Sequence, residues 1–185
     1  MRIKHYMTEI SNKELREKAK KVKFFFSDVD GTLTDGCVYY SERGEAMKKF
    51  SLRDGSGFFL LRQAGIKSGI ITGENSPIVE RRSEKLNVDK LIMNAVPKLE
   101  SLKAYLDSVG LDFSNVAYIG DSINDVQLLQ KVGLGFAVGD ADDLVKSKAD
   151  IICRKSGGNG AFLEAVEVLL DLAGANLPSI IELKL

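Results

Sequence analysis

Apolar and polar positions along the chain follow two alternating rhythms. Short apolar runs read as buried strands: VKFFFSD (22–28), KSGIIT (67–72), KLIM (90–93), NVAYIGD (115–121), LGFAV (134–138) and DIICR (150–154). Between them the pattern turns helical over GFFLLRQAG (57–65), SPIVERRSEKLN (76–87), PKLESLKAYLDSVG (97–110), INDVQLLQKVG (123–133), DDLVKSKA (142–149) and GAFLEAVEVLLDLAG (160–174). Ser76 reads as an N-cap with Pro77 at the first helical position, Pro97 reads as the first residue of the next helix, and Gly65 and Gly110 read as stops. Ser11 to Val22 predicts an amphipathic leader helix, with Ser11 as N-cap and Glu14 three residues later. One stretch breaks the rhythm: CVYYS (37–41) and AMKKFS (46–51), joined by ERGE, predict a β-hairpin.

Strand, helix, strand, helix is the pattern of an α/β doubly wound, mostly parallel sheet with helices on both faces, here with a protruding hairpin. No linker, repeat or low-complexity segment interrupts it, so the 185 residues read as a single domain. In such sheets ligands sit beyond the carboxyl ends of the strands. Three apolar runs end there in polar residues: Asp28, Thr72 and Asp121.

Composition narrows the chemistry. Twenty-six basic residues balance 26 acidic ones, which argues against a general nucleic-acid binder. No apolar run reaches the roughly 18 residues of a membrane span, and the N-terminus lacks a signal-peptide core, so the expected location is cytoplasmic. Cys37 and Cys153 stand in no ligand-like cluster and read as reduced thiols. The single histidine, His5, lies in the polar leader, which excludes a histidine-based triad or a multi-histidine zinc site in the core. Acid–base chemistry then falls to carboxylates, lysine, tyrosine or cysteine.

Asp28 and Asp30 leave the first strand two residues apart and can face one pocket. Two carboxylates this close repel, so a cation or a shared proton is called for. Asp121, Asn124 and Asp125 in GDSIND add oxygen donors at a second strand end, a donor set that suits Mg2+. A calcium EF-hand starting at Asp28 fails, because its sixth and twelfth positions hold Leu33 and Tyr39 instead of Gly and Glu. A carboxylate is a competent nucleophile toward phosphorus once charge repulsion is relieved, and a second carboxylate can carry the proton. Thr72 and Lys98 supply a hydroxyl and a fixed cation for phosphoryl oxygens.

DVDGT, the strand ending at Thr72, Lys98 at a helix start and GDSIND together resemble the four motifs of the haloacid dehalogenase (HAD) superfamily, over residues 22–160. By matched position the resemblance implies Asp28 as nucleophile, and Asp30 as acid/base and also a metal ligand through its backbone carbonyl. It implies Thr72 and Lys98 as phosphate binders, and Asp121 as a metal ligand with Asp125 supporting it. An Asp at position 30 points to a phosphatase rather than a phosphate-transferring ATPase.

Only the hairpin and one helix fit between Asp28 and Thr72, and only two helices and one strand between Thr72 and Asp121, so no cap domain has room. Water exclusion would then fall to a neighbouring subunit. TDGCVYYSERGEAMKKFSLRDGSG and GGNGAFLEAV (157–166) resemble the capless subgroup of 3-deoxy-D-manno-octulosonate (KDO) 8-phosphate phosphatases and their nine-carbon sugar-acid relatives. That resemblance implies a homotetramer assembled through the hairpin, residues 37–51, and a 2-keto sugar-acid phosphate held near the mouth. Candidate sugar contacts are Thr32, Lys49 (beside Lys48), Arg53, Glu74, Arg82, Lys85 and Gly158. GGNG reads either as a helix N-terminal turn or as a gate.

Two departures stand out. Glu74 replaces the basic residue common in the eight-carbon group and resembles the nine-carbon group; it either selects a sugar hydroxyl or pairs with Lys85. Ser122 stands where many relatives carry a second Asp. A non-catalytic oligomerisation domain and a broad housekeeping phosphatase are the alternative readings. The tail LPSIIELKL is assigned no role beyond a crossing to a neighbour.

Overall fold

The computed structural model describes residues 9–176, with side chains from Lys13 onward. His5 and the tail at 177–185 lie outside the described residues. Helix α1 (Glu9–Lys21) leads into β1 (Phe24–Ser27), followed by the hairpin β2 (Thr34–Ser41) and β3 (Gly44–Phe50) and by α2 (Leu52–Gln63). Then come β4 (Lys67–Ile71), α3 (Pro77–Leu86), β5 (Lys90–Ile92), α4 (Lys98–Val109) and β6 (Val116–Gly120). Helix α5 (Val126–Leu129), β7 (Leu134–Ala137), α6 (Asp143–Lys146), β8 (Ile151–Ile152) and α7 (Ala161–Leu172) complete the order.

Six strands form one parallel sheet in the order β5-β4-β1-β6-β7-β8, and the hairpin forms its own antiparallel pair. The central strands β1, β6 and β7 are buried at every position, as their unbroken apolar runs require. Alternation along β1 divides its three phenylalanines between two layers. Phe25 stacks with Phe136 and meets Phe162, which stacks on Phe58 of α2. Phe24 and Phe26 meet Tyr105 of α4 on the other face. Burying rings of this size contributes about 2–3 kcal/mol each and pins helices to both faces. Among the described residues there is no cap domain: β1 to β4 holds only the hairpin and α2, and β5 belongs to the main sheet.

Several boundaries depart from the sequence reading. Helix α1 starts before Ser11, which therefore lies inside it. Helix α2 begins at Leu52 rather than Gly57, because Ser51 accepts from the Arg53 N–H as an N-cap and carries the helix across two glycines. Gly57 is tolerated mid-helix since a Cβ there would stand 2.8 Å from the Phe162 ring. Pro97 is the residue before α4, not its first residue, so Lys98 takes that place. The segment 123–133 folds as a 3-10 turn (Ile123–Asp125) and the short α5, since the Asp125 carboxylate turns back to bind the chain behind it.

Candidate active site

The parallel sheet brings four strand and helix ends to one edge. Asp28 follows β1, its N–H donating to Ile119 O at 3.0 Å, so β1 and β6 end side by side. Thr72 follows β4 with its N–H on Ile92 O at 3.0 Å. Lys98 opens α4, and Asp121 follows β6. A cavity of about 570 Å³ lies over these ends, lined by Asp28, Asp30, Thr72, Glu74, Lys98 and Asn124 among others.

Lys98 is the hub. Its ammonium donates to Asp28 Oδ1 at 2.6 Å and to Asp125 Oδ1 at 2.7 Å, with the side chain 7% exposed. A cation at a helix N-terminus opposes the helix dipole, so the two carboxylates, not the helix, hold it there. Burial alone would lower the ammonium's pKa, but Asp28 and Asp125 outweigh it and raise it. Asp125 is fully buried and fully used. It accepts from Lys98 and the Tyr118 hydroxyl on one oxygen, and from the Asp121 and Ser122 N–H groups at 2.9 and 3.0 Å on the other. These bonds orient Lys98 and the Asp121 turn.

The remaining carboxylates are under-neutralised. Burial, then Asp125, pushes the Asp28 carboxyl well above its ordinary range despite Lys98. Burial, then Asp125, lifts Asp121 to about 6, opposed by the hydroxyl of Thr32, which donates to Asp121 Oδ1 at 3.0 Å. Carboxylate oxygens of Asp28, Asp121 and Asp125 lie within 4.8 Å of one another. Hard oxygens, packed closely and short of positive charge, fit a divalent cation, which would restore both acids to their ionised forms. The cradle is close-fitting as well. Gly31 has φ +85°, and a Cβ there would stand 2.1 Å from Asp121 Oδ2. Behind the same loop, a Cβ on Gly157 would fall 1.7 Å from Gly31 O.

Of the candidate sugar contacts, only Glu74 lines the cavity; Thr32 is buried under Asp121 and braces it. Lys49 is exposed and bonds Asp35 at 2.9 Å, and Arg53 is exposed outside the cavity. Arg82 lies against Phe50, 5.4 Å from the ring centre, and donates to Ser51 O. No ion pair joins Glu74 to Lys85 among the described residues, and Lys85 stays exposed on α3. Gly158 donates its N–H to Thr32 O at 3.0 Å, so GGNG packs behind the Asp28–Asp35 loop in this chain.

Two residues escaped the sequence reading. Lys48 was grouped with Lys49 as a hairpin cation, yet its side chain is 1% exposed and bonded to Asp30. Asp54 is buried, and accepts from the Gly160 and Leu163 N–H groups at 3.2 and 3.1 Å, capping α7 from α2. An acid inside an apolar helix, SLRDGSGFFLL, was the available signal.

Comparison with known proteins gives the family. The haloacid dehalogenase-like hydrolase family matches residues 74–163. The chain is 35% identical over 160 residues to the 3-deoxy-D-manno-octulosonate 8-phosphate phosphatase of Haemophilus influenzae, covering 86% of this chain and 89% of that protein. The chain belongs to the haloacid dehalogenase-like hydrolase family. It is an enzyme of the phosphoric monoester hydrolase type. Among solved structures, the Moraxella catarrhalis KDO 8-phosphate phosphatase, in complex with magnesium, phosphate and KDO, superposes with TM-score 0.86 at 36% identity, covering 91% of this chain and 97% of that one. The cobalt-bound Haemophilus influenzae enzyme superposes with TM-score 0.81 at 36% identity, covering 85% and 92%.

Proposed function

We propose that the protein hydrolyses a 2-keto-3-deoxy sugar-acid phosphate, KDO 8-phosphate first among them, through a phosphoaspartate on Asp28. The observation that carries the reading is the buried Asp28–Lys98 pair at 2.6 Å, opening onto a cavity that Asp30 and Thr72 also line. A carboxylate buried only to stabilise the fold would not face open space beside two further acids.

In the first step an Asp28 oxygen attacks phosphorus, the bond from phosphorus to the sugar oxygen breaks, and Asp30 gives that oxygen its proton. In the second, Asp30 takes a proton from water as the water attacks phosphorus, and the bond to Asp28 breaks to release phosphate. Lys98 and the Thr72 hydroxyl bind the phosphoryl oxygens throughout. Asp28, Asp121 and the Asp30 carbonyl would hold a Mg2+ ion, which when bound would supply positive charge to offset the repulsion between Asp28 and the phosphate. Asp125 keeps Lys98 and the Asp121 turn in register.

The eight-carbon substrate rests on the names of the relatives. Glu74 keeps the nine-carbon alternative in view: a Glu at this position resembles the nine-carbon group, and it lines the cavity with no bond to its carboxylate among the described residues. Steady-state phosphate release with Mg2+, comparing KDO 8-phosphate with a nine-carbon 9-phosphate, separates the two. Asp28→Asn is expected to remove turnover of both; phosphate release surviving in that variant would defeat the phosphoaspartate route. Similar turnover of many small sugar phosphates would favour a broad phosphatase instead.

The same reading assigns the chain to a homotetramer in the cytoplasm, with the hairpin closing a neighbour's site. Tyr39, Tyr40 and Met47 stand 53%, 76% and 60% exposed on the hairpin, large apolar side chains that a second copy would cover. Sedimentation of a Tyr40→Lys, Met47→Lys variant is expected to give a smaller species; an unchanged tetramer would remove the hairpin from the interface. No helix of the described residues is long and apolar enough to cross a membrane.

A further inference from the structure

The hairpin reaches back to its own strand end through one side chain. Lys48 of β3 donates from Nζ to Asp30 Oδ1 at 2.5 Å and lies 3.2 Å from Glu45 Oε2. The Ser76 hydroxyl donates to the other oxygen of Glu45. Ser76 precedes α3, four residues after Thr72. Lys48 thus joins the loop after β1, the hairpin and the loop after β4. Among the described residues, Lys48 is the one protein partner of the Asp30 carboxylate.

Taking an ammonium out of water costs several kcal/mol, so a lysine side chain only 1% exposed needs both carboxylates around it. A two-stranded hairpin is at best marginally stable alone, and these contacts seat this one. They also decide where Asp30 points. A free aspartate samples three χ1 wells, whereas one anchored by a buried cation occupies one. Without the ammonium, Asp30 and Glu45 would repel across the same space.

We propose that Lys48 is a positioning residue: it holds the Asp30 carboxylate in one rotamer at the rim of the cavity, and Glu45 and Ser76 tie that rotamer to the seated hairpin. The inference rests on Asp30 being the proton carrier of the reaction proposed above.

The test compares Lys48→Met and Lys48→Arg, each with and without Asp30→Asn, on KDO 8-phosphate and on p-nitrophenyl phosphate. Lys48→Met is expected to lower kcat on the sugar phosphate about 10²-fold, the lower end of what a proton carrier contributes, with KM within about 3-fold. Lys48→Arg keeps the charge and recovers most of the loss. In the Asp30→Asn background Lys48→Met adds less than about 3-fold, since both changes act on one group. Nitrophenolate leaves without a proton, so its pre-steady-state burst survives in Lys48→Met. Ser76→Ala leaves the ammonium and carboxylate in place, and is the variant to read if Lys48→Met does not fold. It is expected to lose kcat about 10-fold, and this loss too disappears with Asp30→Asn.

Full additivity with Asp30→Asn, a rise in KM at unchanged kcat, or loss of the burst overturns the inference. Wild-type turnover matched by Lys48→Met overturns it alone. A wild type that releases phosphate from neither compound overturns the functional reading beneath it.

Discussion

Asp125→Asn is the substitution that most directly tests whether the Lys98 hub organises the site. The change keeps shape and volume but removes the charge and half the accepting capacity. The carboxylate faces donors on both sides: Lys98 Nζ at 2.7 Å and the Tyr118 hydroxyl on one, the N–H groups of Asp121 and Ser122 at 2.9 and 3.0 Å on the other. An amide has one oxygen, so either orientation turns an NH2 group toward donors. Leaving a buried polar group unmatched costs about 1–3 kcal/mol, and breaking a buried ion pair from one side about 3–5 kcal/mol. Asp28 still partners Lys98, which places the expected loss near 3 kcal/mol. For a chain of 185 residues that corresponds to a melting temperature lower by about 6–12 °C. Lys98 also collapses onto Asp28, the proposed nucleophile, as its one remaining carboxylate, so phosphate release is expected to fall by at least about 10²-fold. Urea unfolding and phosphate-release assays on the same preparation read both effects. A variant less than about 1 kcal/mol weaker that keeps full turnover would refute the idea that Asp125 sets the position of Lys98.

Two further predictions follow from the same loops. Gly157→Ala places a methyl 1.7 Å from Gly31 O, a backbone atom that cannot step aside without moving the Asp28–Asp35 loop, so activity and melting temperature should fall together; a wild-type-like variant would show that loop to be free to shift. Because the folded-state pKa of Asp121 is raised from 3.8 to about 6, the metal-free fold holds that proton longer than the unfolded chain does. Its contribution to stability therefore falls as pH rises from about 4 to about 6, and Asp28 acts in the same direction. Mg2+ favours the ionised acids, so it should raise the melting temperature more at pH 7 than at pH 5; an equal rise at both would exclude these carboxylates as its ligands.

The candidate site was legible wherever chemistry sat at a strand end. Asp28, Thr72 and Asp121 each close an apolar run, and a parallel sheet has no other edge at which to present them. Lys98 was legible as a helix-start residue, although its place relative to Pro97 was one position off. Asp125 was legible in GDSIND as support for Asp121, but its bonds to Tyr118, seven residues earlier on β6, and to Lys98 on another helix were not. The hairpin was visible as a hairpin but not as a surface. Neither of its faces is continuously apolar, its register shifts at bulges, and period-two alternation alone could not say whether Lys48 or Lys49 faces inward.

By itself, the sequence determined the order of strands and helices and which strands are buried, because burial periodicity is local and repeats within each element. It also determined that oxygen donors and a lysine would meet at one edge, because strands joined by helical crossovers run parallel and so end on the same side. Only the tertiary structure decided which charge meets which. Lys48 with Asp30, Lys98 between Asp28 and Asp125, Asp54 on the start of α7 and Arg82 against Phe50 each join residues 18 or more positions apart. Such pairs are fixed by the relative placement of packed elements to within an ångström, a quantity that no single segment encodes.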